Sequence, residues 1–454
     1  MSGRRAGADP RERHDGLGWV TRAVFADERL RVTLADGQSP PGDDRVLRFA
    51  VVPSVRRARF LLPLGSRRVT AASVLAYNAL RPAGVRAARA LVGALARAGA
   101  APLGRLPVLS VVVPPDLDPA EVLLVRRLAA ALPGTAPHAG TGVRPTAPHA
   151  GTGVRPTAPH AGTGVRPTAL HAAIGVRPPD PNRKPTLQLF DDAGRPAGYA
   201  KIGWNGATRA LVRAEAAALR ALPRPGGADY PLAPELLLDA DWAGQAVAVI
   251  APLPPRVRRL DAPQRPRLDA MLAVARRGGP AARPRPLAGS PFHRRLCDDA
   301  RAAAGDPAGG EAGRRAYRLV EALLARYAGT ALEFGDWHGD WVPWNLGRYG
   351  RKLVAWDWEH SGAGVPVGFD LAHQYFQTAF VLRGEPVPGA VAAAGAALAR
   401  HGGRFGLGPV QAAAVLDAYL LELWLRMRRL AAGGAGWHPV LHPGLLHVLA
   451  ERLR

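Results

Sequence analysis

Short apolar runs alternate along the chain with Ala/Leu/Arg stretches of helical spacing, and together they predict a succession of small elements. Residues 46–52 and 58–64 read as strands, and 71–80 and 85–98 as helices separated by Pro82. Residues 106–113 form another apolar run, and 119–132 has helical spacing with Asp118 at the N-cap position. Residues 186–190 and 198–204 flank the turn residues Asp191-Asp192-Ala193-Gly194, which predicts a hairpin. A strong helix follows over 208–222, ended by Pro223, and then a second strand pair over 234–240 and 245–251. From about Val257 the pattern is mainly helical, interrupted by an aromatic block at 334–380 and closing with helices at 409–430 and 444–453.

Between the first elements and the hairpin lies a repeat. TAPHAGTGVRP occurs at 135–145, 146–156 and 157–167, three identical copies of 11 residues, and a divergent copy, TALHAAIGVRP, fills 168–178. Solenoid units usually need about 20 residues or more and an apolar face to stack. A copy with one Val and two Gly offers neither, so 135–167 reads as a low-complexity linker. The evenly spaced His138, His149 and His160 have no scaffold to converge on a metal. In the divergent copy Leu170 and Ile174 stand where the others have Pro and Thr, which restores a strand over 170–176.

The pattern as a whole predicts an α+β chain. A small antiparallel sheet with one helix (168–252) precedes a larger, mainly helical lobe (253–454), with a cleft between them. A separate α/β-mixed region of no assignable chemistry (17–134) comes first, and 1–16 reads as disordered.

Composition narrows the function classes. With 48 % hydrophobic residues in 454, the chain has ample material for cores. The lone Cys297 excludes a disulfide framework or a Cys-rich zinc site and suits a reducing compartment. The first residues lack the apolar core of a signal peptide, and no run approaches the ~18–20 apolar residues of a membrane span, so a cytoplasmic location is expected. The formal charge of +24 is carried almost wholly by arginine: only Lys184, Lys201 and Lys352 among the 60 basic residues are lysines. Arg, Ala, Gly and Pro are inflated together, as coding bias produces. The rival reading, an Arg-rich nucleic-acid binder, lacks a recognition motif, and no specific nucleic-acid partner is expected. Under that bias a retained lysine is informative.

The chemistry concentrates in FGDWHGDWVPWN (334–345), VAWDWEH (354–360) and VGFDLAH (367–373). Asp340 and Asn345, with Pro343 between them, fall on a loop, and Asp357 follows a short apolar strand. Carboxylate and amide oxygens suit Mg²⁺, and a carboxylate left free of metal can take a proton from a hydroxyl. Each residue alone would serve equally as a turn cap. Five of the ten tryptophans fall within 337–358; most suit a core, but Trp341 or Trp344 could wall a sugar ring.

The combination H-G-D-x-x-x-x-N, then an apolar strand ending in Asp, resembles the aminoglycoside phosphotransferase and choline kinase group, the small-molecule branch of the protein-kinase-like fold. Lys201 in YAKIGW and Glu215 in the next helix fall in the order of the kinase lysine and its glutamate partner, and the resemblance spans about 168–430. It implies that Asp340 is the catalytic base, that Asn345 and Asp357 hold Mg²⁺ on ATP (GTP being the alternative donor), and that Lys201, positioned by Glu215, grips the phosphates. His338 and Asp370 would brace the loop, and Ala251 and Leu253 would lie at the adenine edge. The glycine-rich loop of protein kinases is replaced here by RPPDPNRKP (177–185), where Asn182, Arg183 and Lys184 would reach phosphate through side chains. Only Asp417, Glu422 and Glu451 oppose seven arginines over 386–454, which favours a neutral or anionic hydroxyl compound over a polycationic aminoglycoside. A non-catalytic kinase-like binding module is the alternative from another class.

Overall fold

The computed structural model describes residues 9–35, 45–75, 83–99, 106–132, 169–223, 229–260, 265–277, 279–307 and 309–454. The identical repeat copies lie outside these residues, as do the three histidines they carry.

The chain is α+β, with a large antiparallel sheet followed by a helical lobe. Nine strands make the sheet: β1 (Arg31–Ala35), β2 (Val46–Val52), β3 (Phe60–Pro63), β4 (Val108–Val112), β5 (Leu170–Gly175), β6 (Thr186–Asp191), β7 (Pro196–Gly203), β8 (Leu236–Trp242) and β9 (Gln245–Ile250). Their spatial order is β1-β4-β2-β3-β5-β6-β7-β9-β8. Residues 17–134, expected as a separate region, therefore share a sheet with the lobe that follows. β3 pairs with β5 through Phe60↔Gly175 and Leu61↔Ile174, and Val176 N–H donates to Arg59 O at 2.8 Å. The physical reason is the divergent repeat copy: its restored apolar residues Leu170 and Ile174 join Val51, Leu61, Leu109, Leu187 and Val249 in one buried cluster.

The helices α1 (Gly16–Val24), α2 (Arg67–Leu75), α3 (Ala83–Ala98), α4 (Pro119–Val122) and α5 (Leu124–Ala131) accompany the first four strands. Residues 9–15, expected as frayed, are tied down: Arg11 donates to Asp27 O and Leu30 O, and Asp15 caps α1 through Gly18 N–H. The single helix expected over 119–132 breaks at Leu123, which is extended (φ −110°, ψ 113°) and whose carbonyl accepts from Arg126 and Arg127.

α6 (Gly206–Ala221) packs on the face of the sheet opposite α1 and α5, the face that also carries α2. Asn205 and Thr208 cap it reciprocally, and its buried positions 208, 211, 212, 215, 216 and 219 follow helical periodicity. Val212 and Ala216 meet Ala246 and Ala248 of β9. That spacing turns Glu215 inward, towards β7. The second lobe contains α7 (Leu268–Ala275), α8 (Pro291–Gly305), α9 (Gly310–Tyr327), α10 (Phe369–Gln377), α11 (Val387–His401), α12 (Pro409–Ala432) and α13 (Leu441–Arg452) around one apolar core. Among the described residues no helix is long and apolar enough to cross a membrane.

Candidate active site

Lys201 projects from β7, a strand hydrogen-bonded on both sides, with Lys201 opposite Thr186 of β6 and Ala248 of β9. Its Nζ donates to both carboxylate oxygens of Glu215, each at 2.7 Å, and to Asp357 Oδ1 at 2.5 Å. An ammonium has three donors, and all three are used. Burial alone would lower the Lys201 pKa, but the charges of Asp357, Glu215 and Glu359 outweigh it and hold the pKa above its ordinary value. Lys201 therefore stays charged, and Glu215, with 0 % exposure, keeps a counter-ion.

Asp357 comes from the other lobe. It follows the strand Lys352–Ala355 and adopts the left-handed conformation (φ 63°, ψ 59°), a strained backbone for a residue other than glycine. Its side chain is 38 % exposed and reaches across to Lys201 of the first lobe. Two residues on, Glu359 pairs with Lys184 at 2.5 Å, and both side chains are largely buried. Two lysines thus face three carboxylates, Glu215, Asp357 and Glu359, which leaves an excess of negative charge.

The loop 338–345 leaves the strand Phe334–Trp337, which pairs with Gly362–Pro366. Asp370, in the first turn of α10, accepts from the backbone N–H groups of His338 (2.9 Å) and Gly339 (3.1 Å). Gly339 has φ +77°, and a Cβ there would lie 2.0 Å from His360 O. Its carbonyl accepts from Arg426 of α12 at 2.7 Å, and the Arg426 guanidinium lies over the Trp337 ring at 5.3 Å. The His338 ring is fully buried against Trp358, with centroids 4.4 Å apart, and burial holds its pKa down to about 4. Burial also pushes the Asp370 carboxyl up to about 7, against the pull of its two backbone donors.

Asp340 sits between two donors. Asn345 Nδ2 donates to Asp340 Oδ2 at 2.7 Å and to its backbone carbonyl at 3.1 Å, while His373 Nε2 lies 3.1 Å from Oδ1. Burial would raise the Asp340 pKa, but the His373 hydrogen bond holds it below the usual carboxylate range. His373 is fully buried, which lowers its pKa and keeps the ring neutral. Ionised Asp340 can only accept, so the proton of neutral His373 is on Nε2. Its Nδ1, 3.0 Å from Tyr419 OH, must then accept from the phenol. The chain Tyr419–His373–Asp340 went unseen in the sequence. His373 lies within the VGFDLAH segment, but nothing in the spacing ties it to Asp340, and Tyr419 is on a helix far along the chain.

The remaining expected site residues are placed as follows. Asn182 Oδ1 accepts from Gly436 N–H at 2.8 Å, so its side chain joins the 177–185 loop to the turn between α12 and α13. Arg183 pairs with Asp180 at 3.2 Å and is half-exposed. Ala251 and Leu253 lie just after β9, where the lobes join, and Ala251 N–H is held by Glu235 O at 2.7 Å. Of the two tryptophans expected near an acceptor, Trp341 is a core residue with 0 % exposure and walls no ligand, whereas Trp344 is 42 % exposed. Asp417 and Glu422 are buried and already paired, the former with Tyr327 and Arg452, the latter with Arg295 and Arg429.

The donor set fits a hard divalent cation. With Asn345 Nδ2 committed to Asp340, its Oδ1 remains as an acceptor, and Asp357 Oδ2 has no hydrogen bond among the described residues. Both are oxygen atoms of the hard type that such a cation takes. Among the described residues no group of three or more His, Cys, Asp or Glu side chains is arranged to hold a metal alone.

No family model matches the chain, and no curated protein matches it. Among solved structures it is similar to the aminoglycoside phosphotransferase APH(4)-Ia, at 12 % identity over 63 % of this chain and 94 % of that one, with a TM-score of 0.41. It is similar to the choline kinase LicA from Streptococcus pneumoniae, at 13 % identity over 60 % of this chain and 89 % of that one, with a TM-score of 0.41. It is also similar to a putative fructosamine-3-kinase from Haemophilus somnus 129PT, at 13 % identity over 60 % and 89 % of the two chains, with a TM-score of 0.37. At this degree of likeness, the chemistry of the cleft rests on the chain's own residues.

Proposed function

We propose that this chain is a small-molecule kinase that transfers the γ-phosphoryl group of ATP, with Mg²⁺, to a hydroxyl of a neutral or anionic acceptor. The observation that carries the reading is the contact of Lys201 with Glu215 on one side and, across the lobes, with Asp357 on the other. A fixed cation beside oxygen ligands is what a phosphoryl group in flight requires, since its negative charge is spread over its oxygens.

The acceptor oxygen forms a bond to the γ-phosphorus as the bond to the ADP oxygen breaks, and the hydroxyl proton passes to an oxygen of Asp340. Both Asp340 oxygens already receive hydrogen bonds, so its proton affinity is low. It orients the hydroxyl first and takes the proton late, as a loose transition state permits. His373, oriented by Tyr419, and Asn345 fix the carboxylate plane. Lys201 exchanges its half-exposed partner Asp357 for phosphate oxygens, and Lys184 adds a second cation from the 177–185 loop. Asn345 and Asp357 would hold Mg²⁺, which supplies charge neutralisation on the phosphates. The buried, paired state of Asp417 and Glu422 leaves α12 without carboxylates for a polycation, and the exposed Trp344 offers a flat wall to a ring.

Thermal unfolding with ATP, in Mg²⁺ or in EDTA, tests the nucleotide site. A ligand at a hundredfold excess over Kd stabilises the fold by about 2.7 kcal/mol. The shift is expected to need Mg²⁺ and to vanish in Asp357→Ala. Asp340→Asn is expected to keep the shift and lose transfer to a panel of hydroxyl compounds. No shift at millimolar ATP would leave the non-catalytic binding module as the better reading.

A further inference from the structure

A second site lies away from the cleft. A cavity of about 610 Å³ opens where the hairpin of Leu346–Tyr349 and Lys352–Ala355 meets the start of α7 and the residues after α11. None of the cleft side chains described above lines it. Among the described residues its walls carry Arg265, Arg267, Arg348, Arg351, Lys352 and Arg404, against Asp229 and Asp269. Arg404 is held by Asp269. Among the described residues, Arg265, Arg267, Arg351 and Lys352 have no ion pair. Elsewhere in this chain several partly buried arginines pair with acids, as in Arg276–Glu333, Arg295–Glu422 and Arg452–Asp417, and Arg426 is held by a backbone carbonyl.

Two further features add donors without acceptors. Arg267 Nε is buried and makes no hydrogen bond, and a buried donor left unpaired is costly. Arg267 is also the N-cap of α7 and gives that helix no side-chain cap. The backbone N–H groups of Leu268, Asp269 and Ala270, all lining residues, therefore have no capping side chain at the positive end of the helix dipole. Like charges gathered around a cavity repel one another, and a bound anion removes that cost while accepting from the orphaned donors.

We propose that this cavity binds a small multivalent oxyanion, a phosphate ester with at least two negative charges, independently of the cleft. Its size admits a metabolite, and its charged lining disfavours an apolar one.

The test uses the full chain, with isothermal titration of inorganic pyrophosphate and of a hexose bisphosphate at constant ionic strength. Saturable binding of one equivalent is expected. The exposed double variant Arg351→Glu/Lys352→Glu is expected to weaken it about tenfold or more, as is usual when charged hydrogen bonds are lost. Arg267→Ala is expected to weaken it in the same direction. The control Arg56→Glu/Arg57→Glu, which makes the same change in net charge elsewhere on the surface, is expected to leave the affinity within about twofold. Absence of saturable binding overturns the proposal, as does equal weakening in the control, which would mean attraction by net charge alone. Loss of binding in Lys184→Ala with retention in the Arg351/Lys352 variant would place the anion in the cleft, and this too overturns it.

Discussion

Replacing Lys201 with methionine keeps the length of the side chain and removes its charge, and the consequence follows from what surrounds it. Glu215 is fully buried and receives both of its side-chain hydrogen bonds from Lys201, while Asp357 can turn to water. Breaking a buried pair by removing one partner costs about 3–5 kcal/mol, because the remaining charge is uncompensated. In the variant Glu215 escapes part of that cost by taking up a proton, so the loss depends on pH. Its ordinary, unfolded pKa is near 4.5, burial raises it in the folded wild-type chain, and loss of the Lys201 ammonium raises it further in the variant. Below the unfolded value both states are protonated and the penalty is small. Above it the folded state binds the extra proton, and stability falls as pH rises, at up to about 1.4 kcal/mol per pH unit, until the folded pKa is reached. In the wild-type chain the Lys201 pKa is raised, so its contribution is fully present below the unfolded lysine pKa and is lost only as pH rises through the folded one. Urea unfolding of both proteins between pH 5 and 8 is expected to show a difference that widens with pH. The double variant Lys201→Met/Glu215→Leu should regain most of the stability, since no buried charge remains. A difference independent of pH, or a double variant no more stable than the single one, would refute the reasoning.

Gly339→Ala places a methyl group 2.0 Å from His360 O at a positive φ. The loop must then shift away from Asp370 and Arg426, with transfer expected to fall by about a hundredfold and stability by about 1–3 kcal/mol; unchanged turnover would show that the close approach is unimportant. Tyr419→Phe removes the donor to His373 Nδ1 and leaves that nitrogen unpaired in the core. Nitrogen chemical shifts are expected to report the Nε2–H tautomer of His373 in both proteins, since Asp340 still accepts from Nε2, with the Nδ1 resonance moved in the variant by loss of the phenol's hydrogen bond. Turnover should drop about tenfold at unchanged nucleotide affinity, and unchanged turnover would remove the phenol's role.

The sequence was most legible where local rules and tertiary needs agree. Residues 46–52 form a strand with the expected bounds, and α12 begins at Pro409 as expected, because periodicity and proline placement act within a few residues. The pairing of Lys201 with Glu215 was legible only through the family resemblance, since α6 turns several positions inward and spacing alone does not single out Glu215. What failed needed the third dimension. Trp341 and Trp344 look alike in sequence, and only packing sends the first into the core. His373 meets Asp340 because α10 starts beside the loop that Asp370 braces, a relation no spacing encodes. The union of the first strands with the rest arises from a β3–β5 register between residues more than a hundred positions apart.

That union has a consequence for how the molecule comes apart. An isolated five-stranded lobe would present β5 as an open edge, with Leu170, Ile174, Leu187, Leu189 and Val249 exposed on one face. Here β3 closes that edge and the N-terminal helices and strands cover the face, so the first elements and the lysine-bearing lobe share one sheet and one buried cluster and are expected to open together. Amide exchange in β2 and β4 should therefore slow when a ligand is held at Lys201, although neither strand touches it. α5 and β5, which bracket the identical repeats in the sequence, both pack on this sheet and its core, so the gain or loss of an 11-residue copy starts and finishes on the same scaffold.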